Sequence, residues 1–193
     1  MSNQKIRVLA LFHSREFESE ITAVMDKSPE FLFSCKCAGS PDIIKSAAAD
    51  EPDVLLLESC FSDDTSSTIR IGRTLRFRTR ARLILIGACA KQQDMINICR
   101  QTFASGYISK KQLYIIPDFI RDACRGNTPQ QIMIRELSLS QLTSAERTVL
   151  NILLGNRDEL RSSPKTVANQ KTSIFRKLGI KNLSELRHIS HNY

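Results

Sequence analysis

Residues 51–58 read EPDVLLLE, a run in which four successive apolar side chains precede a glutamate. A strand that is apolar at successive positions, and not only at alternate ones, is typical of a strand buried on both faces of a parallel sheet. Residues 82–88, RLILIGA, repeat this pattern. The two runs predict strands at residues 53–59 and 82–88, inside a parallel sheet that helices cover on both sides.

Three further apolar runs complete the pattern of strands: RVLALF (7–12), FLFSCKC (31–37) and GYIS (106–109). Amphipathic segments separate the runs; the first, residues 14–27, has Ser14 as a candidate N-cap, and the next opens at Ser40-Pro41. Five strands that alternate with five helices in residues 1–126 predict an α/β domain with a doubly wound, five-stranded parallel sheet.

The chain changes character after this domain. Residues 127–138, NTPQQIMIRELS, are interpreted as a linker that continues into a short helix. Residues 139–193 have a helical pattern throughout, and Thr143 and Glu146 of the sequence TSAE form a capping box. We therefore expect a small all-α domain at the C-terminus, with a helical oligomerisation module as one possible role.

A second helix of this domain is predicted from about residue 164 to residue 178, because Pro164 suits a first turn and Gly179 a C-cap. A short last helix begins near Asn182. Three apolar residues of the second helix recur at intervals of seven and four and are predicted to face the core: Val167, Ile174 and Leu178.

The net charge of +8 is concentrated at the C-terminus. Residues 139–193 hold 9 Lys and Arg against 4 Asp and Glu, whereas residues 1–125 hold 18 against 15. A basic excess in one small domain favours a polyanionic partner such as DNA.

The chain contains no apolar run near the roughly 20 residues that cross a bilayer, and its N-terminus lacks a signal-peptide cleavage pattern, so we expect a cytoplasmic protein without a membrane partner. The six cysteines have no CxxC or zinc spacing and are expected to be reduced core residues: Cys35, Cys37, Cys60, Cys89, Cys99 and Cys124. We expect neither a metal nor a cofactor.

No catalytic triad or Gly-rich phosphate loop is present in the sequence, so an enzyme is not expected. Three histidines are interpreted as surface residues: His13, His188 and His191.

The stretches EPDVLLLE (51–58) and GYISK (106–110) resemble the third and fifth strands of the receiver domain of bacterial response regulators. The resemblance covers nearly all of residues 5–126. It aligns Lys110 with the family's lysine, Tyr107 with its switch aromatic residue, and Glu58 with the aspartate that accepts phosphate.

Other positions depart from the receiver pattern. Phe12 and His13 stand where the family has the acidic pair that holds Mg²⁺, and Gly87 stands where it has Ser or Thr. Phosphoryl transfer needs these oxygen ligands to neutralise the phosphate charge. The resemblance therefore implies a receiver that is not phosphorylated.

Glu58 has two interpretations. Its carboxylate could pair with Lys110 and fix an active-like state, although one carboxylate carries less charge than the ≈ −1.5 to −2 of a phosphate. It could equally be a residue left after the site decayed. Asp63 and Asp64, in the following loop, are interpreted as solvated turn residues.

Six arginines crowd the predicted third helix and the turn after it: Arg70, Arg73, Arg76, Arg78, Arg80 and Arg82. A solvated face is the expected explanation. An acidic partner surface or additional DNA contacts are the alternatives.

The C-terminal segments LTSAERTVLNILL, SPKTVANQKTSIFRKLGI and NLSEL resemble the helix-turn-helix of the LuxR/NarL type of response regulator. The resemblance makes residues 164–178 the recognition helix, in which Asn can read adenine and Lys or Arg can contact guanine or phosphate. The implied DNA-binding residues are Lys165, Thr166, Ala168, Asn169, Lys171, Thr172 and Arg176. An ordinary solvated helix face is the alternative.

Two departures affect this resemblance. Ala168 and Thr172 occupy positions that are often basic in the family, so base readout would depend more on Asn169 and Lys171. Residues 155–162, GNRDELRS, are about seven residues shorter than the family's supporting helix. DNA binding could survive with this shortened support or be lost.

Two functions remain open at this stage. The first is a phosphorylation-independent, DNA-binding transcription regulator that acts as a homodimer. The second is a protein-interaction regulator that forms a heterodimer with another response regulator and alters the DNA binding of that partner.

Overall fold

The computed structural model describes residues 5–38, 42–59, 65–88, 91–126, 128–156 and 163–190. Five strands form one parallel sheet in the order β2-β1-β3-β4-β5. The strands are β1 (Ile6–Phe12), β2 (Phe31–Cys37), β3 (Val54–Glu58), β4 (Arg82–Gly87) and β5 (Gly106–Ser109). All five agree with the predicted strands to within one residue at each end, and the α/β class with a doubly wound parallel sheet is confirmed.

The helices of the first part of the chain cover the sheet on both sides. They are α1 (Arg15–Met25), α2 (Ile43–Ala49), α3 (Thr65–Arg78), α4 (Gln92–Thr102) and α5 (Ile116–Arg125), with a 3₁₀ helix at Lys110–Ile115. The core on one face contains side chains of α1 and α5, and the core on the other contains those of α2, α3 and α4. All five residues of β3 are buried, as the unbroken apolar run predicts.

Local sequence signals explain the helix ends. The Ser14 hydroxyl accepts a hydrogen bond from the Phe17 amide at 3.2 Å, which confirms Ser14 as the N-cap of α1. Asp42 is the N-cap of α2, and the predicted opening at Ser40-Pro41 lies outside the described residues.

The segment predicted as a linker is largely a helix, α6 (Pro129–Leu139). Thr128 and Gln131 form a capping box at its start, and Ile134 is buried in the core beside α4. The Gln130 side chain accepts a hydrogen bond from the Tyr107 amide at 2.9 Å. Because β5 is an edge strand, this contact covers part of an otherwise unpaired backbone edge.

Three more helices follow: α7 (Ser144–Leu153), α8 (Pro164–Leu178) and α9 (Leu183–Ser190). The capping box of Thr143 and Glu146 is confirmed, and Gly179 ends α8 with a φ of 64°, where a residue without a Cβ is favoured. Ile174 and Leu178 are buried and Val167 packs against them, as predicted. No helix among the described residues is long and apolar enough to cross a membrane.

The core of the C-terminal helices includes two aromatic residues from the first part of the chain. Phe103, directly after α4, is 3% exposed and belongs to the same cluster as Leu150, Leu178 and Ile189. Phe77 of α3 packs against this cluster, and its ring lies 6.2 Å from that of Phe103 in an edge-to-face arrangement. The C-terminal helices therefore bury their apolar faces partly against α3 and α4.

Arg73 of α3 stabilises this contact between the C-terminal helices and the first part of the chain. Its guanidinium donates from Nη2 to the Leu178 carbonyl at 2.7 Å and to the Gly179 carbonyl, and from Nη1 to the Gln101 carbonyl at 2.8 Å. The same group lies 5.2 Å from each of the Phe77 and Phe103 ring centres. One cation thus satisfies carbonyls at the C-terminal end of α8, where the helix dipole also favours positive charge. We call this contact, made by Arg73, Phe77 and Phe103, the Arg73 junction.

The expectation of a solvated arginine face is wrong for three of the six residues, of which Arg82 lies half-buried in β4. Arg76 is fully buried, with Nε donating to the Phe103 carbonyl at 3.3 Å, and Arg73 lies in the junction. The expectation of a surface His188 is also wrong, because its Nε2 lies 2.6 Å from the Thr79 carbonyl and the ring is half-buried. Among the cysteines, Cys99 is buried as expected but Cys37 is exposed.

We predict that Arg73→Ala lowers the free energy of unfolding by about 2 kcal/mol, because several charged hydrogen bonds are lost together. Urea denaturation of the full chain measures this change. Arg78→Ala, an exposed arginine of the same helix, is the matched control and should change little. Equal effects of the two substitutions would show that the Arg73 junction does not hold α8 in solution.

Candidate functional site

The carboxyl ends of β1, β3 and β5 lie together at one edge of the sheet, where doubly wound folds bind their ligands. They bring together His13, which follows β1, Glu58, the last residue of β3, and Lys110, which follows β5. Glu58 is only 2% exposed. The resemblance to receiver domains therefore placed its candidate residues at a common site.

Both carboxylate oxygens of Glu58 are engaged. Oε1 forms an ion pair with the Lys110 ammonium, and Oε2 accepts a hydrogen bond from the His13 backbone amide at 2.7 Å. The Lys110 ammonium also lies 5.0 Å from the centre of the Phe17 ring. A buried carboxylate is tolerable only with such compensation. The pairing of Glu58 with Lys110 that the first interpretation requires is present.

The neighbouring groups do not fit a magnesium ion. The Phe12 side chain is buried in an apolar cluster, and Gly87 offers no side-chain oxygen. Burial lowers the pKa of His13, although the nearby Glu58 carboxylate opposes this shift. Within the described ranges, no group of three His, Cys, Asp or Glu side chains could hold a metal. Asp63 and Asp64 lie outside the described residues.

Tyr107, aligned with the switch residue of receivers, is half-buried against the core on the α4 side of the sheet. Its backbone amide donates to the side chain of Gln130 in α6. The helix after α5 therefore reaches the position at which receivers carry their switch residue, an arrangement that the sequence did not suggest.

The second candidate site is the outer face of α8. The Ser163 hydroxyl caps this helix by accepting from the Thr166 amide at 3.2 Å. Lys171 is half-buried, with its ammonium 5.6 Å from the centre of the Phe175 ring. The other candidate DNA-binding residues are all exposed: Lys165, Thr166, Ala168, Asn169, Thr172 and Arg176. The structure thus places all seven candidates outside the buried core. We call these seven residues the α8 face.

Glu146 of α7 fixes the opposite side of α8. Its carboxylate accepts hydrogen bonds from the Thr143 amide at 2.8 Å, the Ser173 hydroxyl at 2.7 Å and the Lys177 ammonium at 2.6 Å. The hydrogen bonds from Lys177 and Ser173 contribute most to lowering the pKa of Glu146 to about 2. The sequence identified Glu146 as a capping residue but not as a link between two helices.

Arg73 and Phe103 position the C-terminal end of α8 and were missed by the sequence analysis. Arg73 stands 105 residues before the carbonyl that it binds, in a run of arginines whose spacing gives no sign of burial. The described part of α8 is therefore held by α7 along one side and by the Arg73 junction at its end.

No protein-family model and no curated relative matches the sequence. Among solved structures, an RcsB response regulator of Salmonella typhimurium superposes with a TM-score of 0.55 at 15% identity, covering 97% of this chain and 99% of that one. An RcsB–DNA complex gives 0.53 at 15% identity over 96% and 98%. The fold is that of a full-length response regulator.

A two-component response regulator of the LuxR family from Aurantimonas sp. SI85-9A1 gives a TM-score of 0.56 at 13% identity, over 71% of this chain and 97% of that one. At such low identities the likeness establishes the fold, and function has to be argued from the sites.

We predict that Lys110→Met lowers the free energy of unfolding by about 3–5 kcal/mol, because it leaves the Glu58 carboxylate buried without its counter-charge. The double variant Glu58→Gln/Lys110→Met removes both charges and should recover much of the loss. Urea denaturation of the full chain compares the two. Equal losses would mean that the ion pair itself contributes nothing beyond packing.

We predict that Glu146 makes folding pH-dependent in acid. Because its pKa in the folded chain is lowered from 4.5 to about 2, its contribution is complete above pH 4.5 and is lost as the pH falls towards about 2. In Glu146→Gln, the free energy of unfolding should vary less with pH over this window. Urea denaturation at a series of pH values measures this. Glu20→Gln, in the exposed part of α1, has the same change in charge, and an identical pH profile for both variants would contradict the assignment.

Proposed function

We propose that the chain is a transcription regulator of the response-regulator type that binds DNA through the α8 face without being phosphorylated. The observation that carries the proposal is the placement of α8. One side of the helix is fixed by Glu146 and its C-terminal end by the Arg73 junction, while the candidate DNA-binding residues point outward. A rigidly held helix with an open polar face is suited to the major groove.

The residues of the α8 face supply the chemistry for both kinds of DNA contact. Asn169 can bind adenine through two hydrogen bonds, and Arg176 or Lys171 can contact guanine or a phosphate. Lys165, in the first turn, is placed for a phosphate near the helix N-terminus. The small side chains of Ala168 and Thr172 leave room for the thymine methyl group.

Charge and fold support the same proposal. The last 55 residues carry a net charge of +5, which favours association with a phosphate backbone. The RcsB–DNA complex shows a protein of similar fold on DNA. We infer a similar domain organisation here, with a receiver-like part over residues 1–126 and a DNA-binding part over residues 139–193.

The contacts of Glu58 support independence from phosphate. The position aligned with the phosphoacceptor holds a carboxylate that already binds Lys110 and the His13 amide. These are the partners that an incoming phosphoryl group would need, and Phe12 and His13 replace the carboxylates that would hold Mg²⁺. We infer a receiver-like domain with one fixed state.

A second candidate function is supported by an apolar patch on α6. Ile132, Met133 and Leu137 are exposed by 51%, 64% and 39% on the helix that covers β5. Exposed apolar side chains on a single helix are typical of a protein interface. A homodimer, or a heterodimer with another response regulator, would bury them.

Selection of genomic DNA fragments on the purified, untreated protein, followed by sequencing, tests the proposed function. We expect enrichment of a common and palindromic motif, since helix-turn-helix proteins that bind as dimers contact paired half-sites. The absence of any enriched motif at low salt would overturn the DNA-binding proposal and favour the protein-interaction alternative.

We predict that Asn169→Ala relaxes sequence choice at one base position, with a cost of about 1–3 kcal/mol on the preferred site. Lys165→Ala should weaken all sequences alike and reduce the slope of log affinity against log salt by about 1. Fluorescence anisotropy on the selected fragment and on single-base variants measures both effects. Lys45→Ala, an exposed lysine of α2, is the charge-matched control. Unchanged binding by Asn169→Ala and Lys165→Ala would show that the α8 face does not contact DNA.

A further inference from the structure

A basic cleft lies where the two parts of the chain meet. Its volume is about 570 Å³, within the range of roughly 300–1,000 Å³ that small-molecule sites occupy. The turn after α3 contributes Arg80, α6 contributes Arg135, and α9 contributes Ser184, Arg187 and His188. Arg80 and His188, which are 108 positions apart in the chain, thus line one concave surface.

The side chains of the cleft favour an anionic ligand. Three arginines from separate elements, Arg80, Arg135 and Arg187, line it, and none of the described lining residues is acidic. Arginine binds phosphate oxygens through paired hydrogen bonds from its planar fork, more strongly than it binds neutral acceptors. The Arg135 and Arg187 side chains, which come from two different helices, match a ligand that carries two phosphoryl groups better than a monoanion.

The cleft is separate from both sites described above. None of its lining residues belongs to α8 or to the Glu58 site. A smaller apolar cavity shares Arg135, Leu154 and Ser190 with it and reaches Phe103 of the Arg73 junction. Beside Arg80, the Thr79 carbonyl is held by His188 across the same boundary. A ligand in the cleft would therefore touch residues from both parts of the chain, beside the Arg73 junction that positions α8.

We propose that this cleft binds a small molecule bearing at least two phosphoryl groups, and that the bound molecule stabilises the docked arrangement of the two parts. The site goes beyond the proposed function, because it requires neither DNA binding by α8 nor phosphorylation. Binding of such a molecule would then regulate the chain in place of phosphorylation. A ligand that binds only the docked, folded chain raises its stability through mass action.

Inorganic pyrophosphate is the probe for the test. It is titrated into the full chain at constant ionic strength, with heat of binding and melting temperature as the two readouts. We expect saturable one-to-one binding and a melting temperature that rises with pyrophosphate concentration. Arg135→Ala/Arg187→Ala should weaken the binding by about tenfold or more. Arg70→Ala/Arg78→Ala, which removes the same charge from exposed positions of α3, should leave it unchanged. Far-UV circular dichroism checks that both variants are folded.

Three results would overturn the proposal. Absence of saturable binding, or equal weakening in the two double variants, would mean that pyrophosphate responds only to the general positive charge. Loss of DNA affinity in Arg135→Ala/Arg187→Ala without pyrophosphate would assign the cleft to the DNA backbone instead. Because the titration contains no DNA, it is independent of the selection experiment that tests the α8 face.

Discussion

The placement of α8 depends on one guanidinium group. The last carbonyls of a helix have no partner within the helix, and Arg73 satisfies those of Leu178 and Gly179 from another part of the chain. Phe77 and Phe103 enclose the same group and extend the apolar core of the C-terminal helices. Since an unpaired cation would be costly there, the contact favours a single docked geometry.

The contacts of Glu58 likewise balance a charge that is buried in the folded chain. A buried carboxylate, a lysine and a backbone amide satisfy each other within the folded chain. The site therefore needs no added phosphate or metal to balance its charge. Together with the Arg73 junction, these contacts support the proposal of a receiver-like scaffold with one state and a DNA-contacting helix that is already presented. The ligand proposed for the basic cleft would bind next to the contact between the two parts of the chain.

The strands and the helix ends could be predicted from the sequence because their signals are local. The apolar run of β3, the cap at Ser14 and the C-cap at Gly179 each involve a few neighbouring residues. Helix α6 was only partly anticipated, because two of the three residues that it buries, Gln131 and Ser138, are polar and weaken the apolar periodicity. The contacts of Arg73 could not be foreseen, since a run of arginines is ordinarily solvated and its partners lie about a hundred residues away. The pairing of Glu58 with Lys110 was accessible only through the resemblance to receiver domains.

The central claim is that this chain binds DNA in its unmodified state. It is tested most directly by the affinity for the selected DNA fragment before and after incubation with acetyl phosphate and Mg²⁺, with the mass of the intact protein recorded each time. The account predicts no added phosphoryl group and the same affinity in both states. A gain in mass accompanied by tighter binding, or binding that begins only after the treatment, would contradict it.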